Sequence, residues 1–392
     1  MSAKQVSKKN QSSPINSPTV SRPKIPAEYG ISKNNIRISL IVILASVLMG
    51  CASATPQATE PMATISTNTI QEPTPLATEP EMEAGEASAS DETAQIQEYA
   101  VPPGTHPHDV APAPDGSVWY TAQISGALGK LDPETGETRH IPLGSGSSPH
   151  GVIVGPDGAP WVTDSGLNAI VRVDPATDEV QKFPLPAESG YTNLNTAAFD
   201  PNGILWFTGQ NGIYGRLDPS TGDMRVFDAP RGRGPYGITV TPDGVIYYAS
   251  LANSYVGRID PQTGEATVLE PPTSGQGARR VWSDSQGRVW VSEWNAGQVA
   301  VYNPADDSWQ EWKLPGNGPQ AYAVYVDDQD IVWLSDFGAN SLVRFDPSAQ
   351  TFTTFELPSP EAAVRQILGR PGEIWGAESA VDKIIVIRTG QH

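Results

Sequence analysis

The sequence predicts an all-β fold, a seven-bladed β-propeller over residues 95–392, and three observations carry that reading. Gly and Pro number 37 each and only 18% of residues are charged, which suits short strands and tight turns better than long helices. An aromatic residue recurs at Trp119, Trp161, Trp206, Tyr247, Trp290, Trp333 and Trp375, at intervals of 41–45 residues, the period of a propeller blade. No window of this stretch sustains a helical period.

Before the repeats, residues 1–50 read as a lipoprotein signal peptide, kept apart from the fold. Seven Lys and Arg face one acid, Glu28, before the uncharged run ISLIVILASVLM at 38–49. That run is too short for a lone membrane span of about 30 Å. It ends in Leu48-Met49-Gly50-Cys51, which looks like a bacterial lipobox with Cys51 as the lipid-attachment residue. Residues 51–94 hold this Cys and an Ala/Thr/Pro/Glu stalk; the stretch after the Cys has no aromatic residue through position 94 and is expected to be disordered. The expected address is therefore extracytoplasmic, with the membrane reached by the lipid anchor only.

Within each unit an alternating apolar run such as GVIVG leads to a Pro-Asp-Gly type turn. A second strand carries the Trp, as in PWVT, and a third ends in Arg or Lys before a D-P-x-T-G turn, as in VGRID. A fourth reads like KFPLP or EWKLP. The repeated Trp residues are expected to pack between blades. The last unit lacks its fourth strand, while Ile96–Pro102 stands before the first unit and resembles it. The N-terminal strand should therefore complete the seventh blade and leave no open sheet edge.

Composition excludes several functions. One Cys rules out a disulfide framework and a Cys-based zinc site. A net charge of −19 argues against a nucleic-acid partner. Nothing in the sequence calls for more than a monomer.

Strand direction selects the candidate site. If the first strand of each blade runs down the channel, its opening residue lies at the top mouth. Counting back from each aromatic gives His108, His150, Asn195, Tyr236, Arg279, Tyr322 and Arg365, all able to hydrogen-bond within an otherwise apolar stretch. Three residues beyond the aromatics stand four acids, Asp164, Glu293, Asp336 and Glu378, expected at the same mouth. His150 with His108 and Asp164 is the best acid–base or metal grouping, since imidazole takes a proton near neutral pH and carboxylates suit Mg²⁺ or Ca²⁺.

The units P-H-G-V-x-x-x-P-D-G-x-x-W-x-T-[DE] and W-V-S-E-W-N-A-G-Q-V, with K-F-P-L-P spacers, resemble the virginiamycin B (streptogramin B) lyases across all seven blades. The resemblance implies a Mg²⁺-dependent carbon–oxygen lyase that linearises a cyclic depsipeptide by elimination at its ester. It implies His150 as the general base, the acids above as metal ligands, and the rest of the ring as substrate-binding residues. The family's acid two residues before its base is Ser148 here, and its last-two-blade His positions hold Tyr322 and Arg365. Two alternatives stand beside it. One is a catalytically idle, surface-tethered propeller that binds a peptide, glycan or cell-wall fragment. The other is a lactonase-like hydrolase.

Overall fold

A computed structural model describes residues 94–389. The segments expected to form a signal peptide and a stalk, Cys51 included, lie outside the described residues except for residue 94. Among the described residues, twenty-eight strands form seven four-stranded antiparallel sheets. Numbered from the first repeat, the innermost strands are Pro107–Pro112, Pro149–Val154, Leu194–Phe199, Pro235–Val240, Ala278–Ser283, Ala321–Val326 and Val364–Arg370, for blades 1 to 7. Each neighbours the innermost strand of the next blade, and the seventh neighbours the first, so the ring is closed.

Closure takes the expected form. Gln95–Ala100 pairs antiparallel with Lys383–Arg388 and is the outer strand of blade 7. Tyr99 fills the role that aromatic residues of the KFPLP-type strands play in other blades. Its ring stacks on Trp375 at 5.7 Å, as Phe183 does on Trp161 and Trp312 on Trp290. Its hydroxyl also donates to the Pro133 carbonyl of blade 1, at 3.0 Å.

The repeated motif has a physical reason at each position. Trp119, Trp206, Trp290, Trp333 and Trp375 are fully buried between sheets. The indole N–H of Trp206, Trp290 and Trp333 donates to the acid of the preceding turn, Asp200, Asp284 and Asp327. The Thr or Ser two residues beyond the aromatic binds main chain on two blades. Thr121 accepts from the Asp109 amide at 3.0 Å and donates to the His150 carbonyl at 2.8 Å. Thr163, Thr208 and Ser292 reach the carbonyls of Asn195, Tyr236 and Tyr322 in the same way.

Candidate functional site

All seven innermost strands carry a register shift at their upper end, where one extra residue is inserted against the second strand. A bulge re-aims the side chains at that point. Two successive residues of each strand therefore reach the central channel instead of one. The first make an upper ring of His108, His150, Asn195, Tyr236, Arg279, Tyr322 and Arg365. The second make a lower ring that includes Asp109, Thr196, Arg280 and Gln366. In blades 2 and 4 the lower position is Gly151 and Gly237. A Cβ there would lie 2.6 Å from the Asn195 carbonyl oxygen or from Arg280 Cα, so no larger residue fits.

The lower ring is tied across the channel. Arg280 Nη2 of blade 5 meets Asp109 Oδ1 of blade 1 at 3.1 Å, and its Nη1 donates to Thr196 Oγ1 of blade 3 at 2.7 Å. Both members of the ion pair are almost fully buried. Burial pushes the Asp109 carboxyl up, and the Arg280 guanidinium opposes that; we read the pair as ionised because its geometry is direct. Below it lies a cavity of about 110 Å³ with a mainly apolar wall that includes Trp161, Ala198 and Trp282.

In the upper ring His108 donates from Nδ1 to Asp109 Oδ1 at 2.7 Å, which leaves its Nε2 as the basic nitrogen. The His150 ring lies 3.8 Å from that of His108. Asn195 has its carbonyl oxygen occupied by the Thr196 hydroxyl, so its amide nitrogen faces His150 Nε2 at 3.3 Å. His150 therefore carries its proton on Nδ1, which has no partner. Burial, with added repulsion from Arg280 and Arg365, holds both imidazoles well below their ordinary range, so both are neutral.

The opposite wall is aromatic and cationic. The Tyr236 and Tyr322 hydroxyls meet at 2.7 Å. Arg279 donates from Nη2 to Tyr236 Oη at 3.0 Å, and its guanidinium carbon lies 3.6 Å from the Tyr322 ring centre and 4.8 Å from that of Trp294. Phe337 stacks against the Tyr322 ring at 4.8 Å. Burial disfavours the Tyr322 phenolate, but Arg279, Arg280 and Arg365 together outweigh it and hold this hydroxyl below its ordinary value.

The seven predicted ring residues thus come together, but the four predicted acids do not join them. Among the described residues the one group of three His, Cys, Asp or Glu side chains within metal-ligand range is His108, Asp109 and His150. Asp164 instead accepts from the Ser148 and Leu167 amides, each at 2.9 Å, and so closes its own blade's loops. Asp336 does the same for Gln320 and Gly338. Glu293 accepts from Gln298, and Glu378 lies buried near Glu98 in blade 7. Each sits at the end of a second strand and turns into its own blade. Sequence reasoning missed Asp109 and Arg280, because strict strand alternation points them away from the channel. Their signal was two further charges, each directly after a ring residue, in an otherwise apolar strand.

Mg²⁺ is held by oxygen ligands in near-octahedral array. The group found here offers two imidazoles and one carboxylate already bonded to Arg280 and His108, with Arg279 and Arg365 nearby. These residues do not fit Mg²⁺, and no chemical step is derived through it.

The family model of the virginiamycin B lyase family matches residues 79–315, more than half of the chain. The selenomethionine-substituted virginiamycin B lyase from Staphylococcus aureus is similar in structure, with a TM-score of 0.70 at 21% identity over 76% of this chain and 100% of that one. A streptogramin B lyase structure gives 0.71 at 22%, over 77% and 100%. YCF48 bound to D1 peptide gives 0.63 at 15%, over 78% and 99%. At these identities the structural likeness is one of fold. No curated protein matches the chain.

Proposed function

We propose, from the premise that this chain belongs to the virginiamycin B lyase family, that its propeller mouth binds a small molecule or peptide without carrying out metal-dependent elimination. The observation that supports this reading is the state of the donor set. Asp109 is committed to Arg280 and His108, and the three guanidiniums of the mouth repel a divalent cation. In this reading Cys51 carries a lipid that tethers the chain to the membrane, and the protein acts as a monomeric surface receptor. Peptides, glycans and cell-wall fragments are the ligand classes available there.

A second reading keeps elimination, and the His108–Asp109 bond favours it. A carboxylate behind Nδ1 orients an imidazole as a base. His108 then takes the proton from the carbon next to the one that bears the alkyl oxygen of the ester, the alkyl C–O bond breaks as a C=C bond forms between those two carbons, and the carboxylate departs. His150, whose Nδ1–H has no partner, is the neighbouring donor available to the departing oxygen.

Incubation of the purified protein with a streptogramin B and Mg²⁺, followed by chromatography with mass detection, separates these readings. The receptor reading expects the antibiotic unchanged with and without chelator. A linear product of unchanged mass would establish elimination, and its loss in His108→Ala or His150→Ala would assign the base. A product heavier by one water would point to a hydrolase.

A further inference from the structure

The mouth carries more positive charge than its own acids can balance, although the whole chain has a net charge of −19. Arg280 is paired with Asp109, and both imidazoles are neutral. Arg279 and Arg365 are left, and among the described residues neither forms an ion pair with a carboxylate. Both are half-buried, and the Nε of each is buried without a hydrogen-bond partner. Partly buried cations without counter-charge are costly to keep unless something occupies them.

Arg279 is also held still. It is stacked on Tyr322, braced by Tyr236 and Trp294, and bonded to the Tyr236 hydroxyl. A stacked planar guanidinium keeps its remaining N–H groups in fixed directions, so it loses little freedom when it grips an oxyanion. Arg365 lies on the neighbouring stretch of the ring, its guanidinium carbon 5.9 Å from the same Tyr322 ring. Beside them Trp294 and Phe337 present half-buried aromatic surface, their rings 5.3 Å apart.

Resting on the receptor reading above, we infer that the mouth takes an organic carboxylate, gripped by Arg279 and Arg365, with its apolar or aromatic body lying against Trp294 and Phe337. The aromatic wall selects an organic anion over inorganic phosphate, which would leave that wall wet. Lining the mouth with one sign of charge in a protein of the opposite sign also draws anions to it.

The test titrates the purified protein with phenylacetate, phenylacetamide and inorganic phosphate, followed by tryptophan fluorescence and calorimetry. Phenylacetate is expected to bind, with affinity falling as salt rises, and phenylacetamide to bind about ten- to hundredfold more weakly, the loss of a charge-assisted contact. Arg279→Lys, which keeps the charge but loses the stacked fork, should weaken phenylacetate about tenfold, and Arg365→Met by a similar factor. Arg231→Met, remote on the surface, should have no effect. A melting curve for each variant checks that the fold is intact. Equal binding of the acid and the amide would overturn the carboxylate inference while leaving a binding mouth. Binding of phosphate in preference to phenylacetate would overturn the organic class. No binding of any probe would overturn the inference. Turnover of a streptogramin B by the same preparation would overturn the receptor reading instead.

Discussion

Raising the pH should loosen this propeller, because two carboxyls are buried where charge is disfavoured. Burial pushes both Glu293 and Glu378 up to about 8, from an ordinary value of 4.5. At Glu293 the Gln298 amide opposes the shift, and at Glu378 the nearby Glu98 carboxylate adds to it. Both side chains are fully buried. A folded-state value above the unfolded one means that the folded chain holds the proton more tightly. The stabilisation is full below about pH 4.5 and disappears as the pH rises through 8. At about 1.4 kcal/mol per pH unit, the upper limit is about 5 kcal/mol per group. The two lie in different blades, so their effects should add.

The assay compares melting temperatures of the wild type with Glu293→Gln/Glu378→Gln from pH 5 to 9. A Gln keeps the shape of the protonated acid and has no charge to acquire. For a domain of this size about 1 kcal/mol shifts the midpoint by roughly 1.5 °C. Between pH 5 and 8.5 the wild type should therefore fall by about 10 °C relative to the double variant. Parallel curves for the two proteins would refute the reasoning, since both acids would then titrate alike in the folded and unfolded chains.

Two further outcomes follow from the ring itself. Asp109→Asn leaves Arg280 buried without its counter-charge and should cost about 3–5 kcal/mol in urea denaturation, whereas Asp109→Leu with Arg280→Met should recover most of that loss; equal stability of the single and double variants would count against the pair. Tyr99→Ala removes the stack on Trp375 and the bond to Pro133, so it should cost about 3–5 kcal/mol, and a loss below about 1 kcal/mol would show that closure of the seventh blade does not depend on this anchor.

The architecture was readable because each of its parts leaves a local mark. The turn acids, the aromatic seated on them and the hydroxyl two residues later recur at a fixed spacing, so the repeat exposes itself. Tyr99 could be placed because its segment matches the strand that the last unit lacks. The upper ring was found by counting from the aromatics, and that count is insensitive to local distortion. The lower ring was lost for the opposite reason. Assigning faces by alternation assumes two residues per pleat, and one inserted residue in each inner strand breaks that assumption where the chemistry sits. The four acids were misdirected by the same kind of argument. Their height in the ring was right, but amides of their own loops compete for the carboxylate, as Ser148 and Leu167 do for Asp164. A sequence read without side-chain directions cannot rank those partners.

The Thr and Ser hydroxyls that join neighbouring blades grip carbonyls of the upper-ring residues and amides of the lower-ring residues, not the side chains on display. The framework of the mouth is thus indifferent to what it displays. A histidine, asparagine or tyrosine can occupy any of these stations while the same main-chain bonds keep the aperture in shape. Such a ring works like a turntable with exchangeable fittings, and a single codon change can alter what it accepts without endangering the fold. Relatives built on this plan can therefore keep one skeleton and diverge in chemistry. The position of an imidazole pair around the circle is then a poor guide to shared activity, and the full set of seven fittings is the better one.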